Sequence, residues 1–161
     1  MINVTFVCLG NICRSPMAEL IFKKMVKEEG ISPSFNITSF GTSDYEIGNP
    51  IYAPAQKTLT EHGITGAHIA AQLSLRDVIN NDYVLVMDSQ NLMDVLRLTS
   101  GKFGEKIFKL LSFTSAPRDI ADPWYTRDFE RAYADITEGC EAFLDYVKRE
   151  KESALAYDRR H

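Results

Sequence analysis

The apolar positions of this chain fall into runs that alternate between strand and helix periods. Ile2 to Val7 is continuously β-prone, the pattern of a strand covered on both faces, and it stops at a loop containing Gly10 and Asn11. Ser15-Pro16 then reads as an N-cap followed by proline at the first helical position. Paired apolar residues at Met17/Ala18, Ile21/Phe22 and Met25/Val26 carry a helix that Gly30 ends. A short strand is expected at Asn36 to Phe40, and a polar loop from Gly41 to Asn49 carries Tyr45. Asn49-Pro50 is read as restarting a helix that Gly63 terminates, and Ser74 with Asp77 forms a capping-box pattern before another. Tyr83 to Met87 is a strong strand, followed by a helix with Leu92, Met93 and Leu96 on one face. Ile107 to Leu111 is the last strand candidate. An irregular stretch from Ser112 to Tyr125 precedes a long amphipathic helix with Phe129, Tyr133, Ile136, Cys140, Phe143 and Val147 on its stripe.

Strands alternating with helices predict an α/β fold: one parallel sheet, right-handed crossovers and helices on both faces, hence three layers. A length of 161 residues suits one domain, assigned to 1–150, with a polar, frayed tail at 151–161. The formal net charge of -4 disfavours nucleic acid and anionic membranes as partners. No apolar run is long enough to span a bilayer, and no basic n-region precedes the first strand. Three cysteines make a poor disulfide framework and suit the reduced thiols of the cytoplasm.

The chemistry concentrates at the end of the first strand, in Cys8-Leu9-Gly10-Asn11-Ile12-Cys13-Arg14-Ser15. Parallel α/β sheets bind ligands beyond the carboxyl ends of their strands. The amides of such a loop and of a helix N-terminus cradle an anion, and Arg14 adds a planar fork for two phosphate oxygens. The same positive field favours the Cys8 thiolate, poised for in-line attack on phosphorus. Arg14 and the amides would then hold the equatorial oxygens, with no metal and no cofactor required. A cysteine and an arginine six positions apart is a weak signal alone; the strand before it and the helix after it give it weight.

Ester cleavage also needs a proton for the leaving oxygen, and Asp122 in Asp122-Pro123-Trp124-Tyr125 can supply one beside two aromatic walls. By itself Asp-Pro is a common turn dipeptide, and a tryptophan is more often core than pocket. The strand, the Cys-Leu-Gly-Asn-Ile-Cys-Arg-Ser-Pro loop and the late Asp-Pro-aromatic-aromatic together resemble the low-molecular-weight protein tyrosine phosphatases. The similarity extends through Ser43-Asp44-Tyr45, His62-Gly63-Ile64, Ala67-His68 and Asp82 to Asp88.

That resemblance implies a four-stranded parallel sheet of flavodoxin-like topology. It also implies hydrolysis of phosphotyrosine and other aryl phosphates, with inorganic phosphate or vanadate as inhibitors. Cys8 would be the nucleophile and Arg14 the phosphate ligand, within a loop completed by Leu9, Gly10, Asn11, Ile12 and Cys13. Asp122 would serve as acid and then as base for water, and Ser15 would donate to the Cys8 sulfur. Asn11, in a left-handed conformation, would hold the loop through Ser39 and His68, and Tyr45, Trp124 and Tyr125 would wall the slot. Cys13 would form a reversible disulfide with Cys8, the alternative being that it packs beneath the loop.

Other residues have simpler readings. Ser15 is a helix cap under any reading, His62 complements a helix dipole, and Cys140 is a small core residue. Asp88 ends its strand and caps the next helix. His68 is either a loop support or a surface histidine. Arsenate reduction is a rival chemistry, but it needs further accessible cysteines, and only Cys140 lies outside the loop. A phosphopeptide-binding module is the non-enzymatic rival, and it has no use for both a thiolate and Asp122.

Overall fold

The computed structural model describes residues 1–160, with side chains through residue 152. Four parallel strands, β1 (Ile2–Cys8), β2 (Phe35–Gly41), β3 (Tyr83–Val86) and β4 (Ile107–Lys109), form one sheet in the order β2-β1-β3-β4. β1 is central, its Cys8 opposite Gly41 of β2 and its Val7 opposite Val86 of β3. That position explains why Val4, Phe6 and Val7 are all buried and why even Thr5 is, since a strand covered on both faces has no exposed side.

Helix α1 (Arg14–Glu28), α2 (Ala53–Glu61) and α6 (Phe129–Arg160) cover one face, where Val4, Phe6, Met17, Phe22, Leu85, Ile136 and Phe143 form the larger core. Phe22 is its hub, with ring centroids 5.8 Å from Phe6, 5.5 Å from Phe35 and 5.5 Å from Phe143. Gly139 lets α6 press close, because a Cβ there would lie 2.5 Å from Leu110 Cγ. On the other face α3 (Leu75–Asn80) and α4 (Ser89–Leu98) enclose Val7, Leu73, Val78, Val84, Val86, Val95 and Ile107. The three layers read from the sequence are present. After β2 the chain crosses to the opposite side of β1, so the carboxyl end of β1 opens a crevice at this reversal of winding.

Several boundaries differ from the pattern. Helix α1 begins at Arg14 with Cys13 as N-cap and no side-chain cap, so Ser15 is not the cap. Its hydroxyl is turned to the Cys8 sulfur instead. Pro50 does not open α2; it bridges to Ile69, and the helix starts at Ala53-Pro54 with proline still in its first turn. On α4 Leu92 and Leu96 pack against the core as expected, beside the fully buried Asn91 and Val95, while Met93 is exposed. β4 ends at Lys109, and Leu110–Phe113 is a 3-10 turn. The Ser74–Asp77 capping box is present as read. A short helix α5 (Pro123–Thr126) closes the irregular stretch. The backbone of α6 continues to Arg160; of the tail read at 151–161, the side chains from 153 and all of His161 lie outside the described residues.

Candidate active site

The chain turns sharply between Cys8 and Arg14, and the turn rests on Asn11, whose φ is 61°. Asparagine tolerates this left-handed backbone because its short amide makes local hydrogen bonds. Its Nδ2 donates to Ser15 Oγ (2.8 Å) and Ser39 Oγ (3.1 Å). Its Oδ1 accepts from His68 Nε2 (2.7 Å) and from the Ala71 amide (3.0 Å). Ser39 in turn donates to the buried Glu19 carboxylate at 2.6 Å. Ser15 Oγ accepts from Asn11 and lies 3.0 Å from Cys8 Sγ and 3.4 Å from Phe40 O, so its one proton turns to the sulfur when Cys8 is a thiolate, which can only accept. The Asn11 amide lies 3.3 Å from the same sulfur. With the Asn11 amide, this puts two donors on a Cys8 thiolate.

Gly41, beside Cys8 on β2, is where the loop presses hardest. A Cβ there would stand 2.8 Å from Leu9 O and 3.2 Å from the Asn11 Cβ. Any side chain at position 41 would displace the backbone that carries the cysteine.

Arg14 is buried at 2 % exposure and reaches the opposite wall. Its Nη1 donates to Asp88 Oδ2 (2.7 Å) and to Ile120 O (2.7 Å), while Nη2 lies 3.4 Å from Asp122 Oδ2. Burial works against the guanidinium's charge, but the Cys8 sulfur and the Asp122 and Asp88 carboxylates outweigh it and hold its pKa above the ordinary value. Asp88 divides its work, since its Oδ1 accepts the Asn91 amide (2.8 Å) and caps α4. Asp122 is likewise a cap: its Oδ1 accepts the Trp124 amide (3.0 Å) at the start of α5, and its Oδ2 is turned to Arg14.

Burial, with Cys8 and Asp122 adding, pushes the Cys13 thiol up to about 12. Burial likewise raises Cys140, which sits in the core of α6. At His68 burial draws the imidazole below its ordinary value, against the pull of Glu19 Oε1 at 3.3 Å from its Nδ1.

Cys8, Leu9, Gly10, Asn11, Ile12, Cys13, Arg14, Tyr45, Asp122, Trp124 and Tyr125 line one cavity of about 190 Å³, together with Glu46. Ser15, Ser39 and His68 stand behind the loop. Trp124 leans on Tyr52 (centroids 4.8 Å apart), whereas Tyr45 and Tyr125 are 76 % and 75 % exposed and form the mouth more than the walls.

The model for the low molecular weight phosphotyrosine protein phosphatase family matches residues 3–153. The chain belongs to that family. It is 40% identical over 148 residues to the human low molecular weight phosphotyrosine protein phosphatase, covering 89% of this chain and 94% of that one. It is 37% identical over 155 residues to the low molecular weight protein-tyrosine-phosphatase YfkJ of Bacillus subtilis, covering 94% and 99%. The YfkJ crystal structure superimposes with a TM-score of 0.91 over 94% of this chain and 97% of that one. A Drosophila arginine phosphatase structure matches at 32% identity and a TM-score of 0.83, covering 90% and 97%. Members of the family are named phosphatases, so the phosphate-binding loop read from the sequence has its family context.

Three members of the site were not legible as such in the sequence: Asp88, Glu19 and Glu46, which lines the cavity. Asp88 was read as a cap alone, and Glu19 was not singled out. Glu19 had one available signal: an acid on the buried face of α1, four residues before Lys23, which pairs with it at 2.6 Å.

Proposed function

We propose that the chain hydrolyses phosphotyrosine in proteins, and small aryl phosphates, through a phosphocysteine on Cys8. The observation that carries the reading is the convergence of the Cys8 sulfur, the Arg14 guanidinium and the Asp122 carboxylate on one aromatic-lined cavity. The phosphoryl group lies against the loop amides, with Arg14 on two of its oxygens. The Cys8 thiolate attacks phosphorus as the bond to the aryl oxygen breaks, and that oxygen takes the proton of Asp122. Water then attacks the phosphocysteine, giving its proton to Asp122, and Cys8 leaves as a thiolate stabilised by the Ser15 hydroxyl 3.0 Å away. Charge on the equatorial oxygens is held by Arg14 and fixed amides, so the scheme draws on no metal or cofactor. Inorganic phosphate and vanadate would compete for the same cradle.

The Drosophila relative is named for phosphoarginine chemistry, which sets the alternative substrate. Ile12, Tyr45, Trp124 and Tyr125 offer a flat phenyl ring apolar contact, which favours the aryl ester, while Glu46 is the carboxylate on the same lining that a guanidino group would have to reach.

The test is hydrolysis of p-nitrophenyl phosphate in the presence of a chelator, with phosphotyrosine and phosphoarginine peptides and arsenate reduction run beside it. Turnover of aryl phosphate and of phosphotyrosine over phosphoarginine is expected. In Asp122→Ala, phenyl phosphate should slow far more than p-nitrophenyl phosphate, since the poorer leaving group needs the proton more. Equal slowing of both esters would remove Asp122 as the acid.

A further inference from the structure

Two opposite charges flank the cavity: Glu46 on its lining, and Arg127 just outside it, bonded to the Trp124 that lines it. Glu46 lies over the Gly10 end of the loop, close enough that a Cβ on Gly10 would sit 3.4 Å from Glu46 Cγ, and the exposed Asp44 is two residues away. Arg127 stands beside Trp124, outside the lining itself. Its Nη2 donates to Tyr52 Oη (3.2 Å) and its Nη1 to Trp124 O (3.4 Å), and the Tyr52 amide is bonded to Ile12 O. The guanidinium carbon lies 5.4 Å from each of the Tyr52 and Phe129 ring centroids.

Among the described residues Arg127 has no carboxylate partner, although aspartates and glutamates abound nearby: Asp128 accepts the Arg131 amide, and Glu130 pairs with His62. It is an exposed cation held in place by two aromatic rings. Its backbone fixes the direction, for Arg127 ends α5 in a left-handed conformation (φ 62°) that turns the chain back after Trp124-Tyr125. Its field reaches the loop, lowering the pKa of Cys13 against the burial that raises it.

We infer that Arg127 is a specificity residue for the peptide around the phosphotyrosine, pairing with a carboxylate side chain on one flank while Glu46 and Asp44 disfavour acid on the other. The inference rests on the phosphatase reading and deepens it. Glu46 and Arg127 belong to different segments bordering the slot, so a bound peptide would be read by the side on which its acid lies, not by its total charge. An exposed ion pair is worth little alone. Two opposed poles read in one comparison double the contrast, and the preference between mirror-image flanks should fall at about two- to thirtyfold on that scale.

The experiment uses two phosphotyrosine peptides of identical composition, one with two glutamates before the phosphotyrosine and two alanines after it, the other reversed. kcat/KM for each is measured with p-nitrophenyl phosphate as the internal standard. One peptide should be preferred over the other in the parent. Arg127→Gln should shrink the ratio, Arg127→Lys should keep most of it, and Arg127→Glu, which leaves acid on both flanks, should bring it to about one; raised salt should weaken it. Binding of the same peptides to Cys8→Ser, followed by fluorescence anisotropy, reads the preference without turnover. A ratio of one in the parent, or a ratio unmoved by Arg127→Glu, overturns the inference. A preserved binding preference without turnover would instead sink the phosphatase reading and leave the polarised rim standing.

Discussion

Asp88 holds two jobs on two oxygens, and substitutions can separate them. Asp88→Ala removes both the α4 cap at Oδ1 and the partner of buried Arg14 at Oδ2. Losing a cap costs about 1 kcal/mol, and losing a hydrogen bond to a charged group costs about 1.5–3 kcal/mol. The sum is about 2.5–4 kcal/mol. For a domain of this size each kcal/mol lowers the midpoint by about 2–4 °C, so Asp88→Ala should melt about 5–16 °C below the parent. Asparagine caps as well as aspartate, so Asp88→Asn should recover about 1 kcal/mol of this, or about 2–4 °C. Catalysis should not recover with it. Without the Asp88 charge the guanidinium is drawn toward Asp122, 3.4 Å away, and away from the oxygens it must hold. A loss of up to the same 1.5–3 kcal/mol in the transition state lowers kcat/KM on p-nitrophenyl phosphate roughly 10- to 100-fold in both variants. Thermal melts with and without phosphate, beside steady-state kinetics, make the comparison. Parent-like kcat/KM in both variants would refute the argument that Asp88 aims Arg14. Identical midpoints for the two variants would refute the cap.

Two further outcomes follow from the loop. Gly41→Ala should leave the fold standing but displace the Leu9 carbonyl it would meet at 2.8 Å, costing on the order of 10²-fold in kcat/KM; a near-native rate would show that the loop can yield. Cys13 stays protonated until about pH 12, so iodoacetamide at neutral pH should label Cys8 alone, and phosphate should protect it. After peroxide, thiol should restore the parent but not Cys13→Ser if the Cys8 sulfenic acid condenses with Cys13, releasing water; equal recovery in both would leave Cys13 as packing.

What the sequence made legible was local. Cys8, Asn11, Arg14 and Ser15 lie within one turn of chain, and the strand before them has an unmistakable apolar pattern, so their proximity needs no knowledge of the fold. Asp122 was legible through its dipeptide context and the family resemblance. Asp88 was visible only as a cap because its bond to Arg14 spans 74 positions, and no local pattern encodes a contact across the sheet. Glu19 was hidden for a related reason: its partners Ser39 and His68 arrive from β2 and from the loop after α2. The start of α1 was misplaced by the Ser-Pro rule, because here the serine hydroxyl is committed to the cysteine sulfur and the helix opens without a side-chain cap. Met93 shows the same limit on a helix face, where apolar character alone put an exposed residue inward and passed over Asn91, which is buried because it accepts the Met87 amide.

In the proposed mechanism phosphorus passes through the Cys8 sulfur. Rapid mixing of p-nitrophenyl phosphate with Asp122→Asn, whose second step lacks its base, followed by phosphorus NMR and peptide mapping, tests it most directly. The account predicts a burst of nitrophenol matched by one phosphoryl group on sulfur in the peptide bearing Cys8, absent in Cys8→Ser. Turnover with no phosphocysteine, or a phosphoryl group carried on another residue, would contradict it.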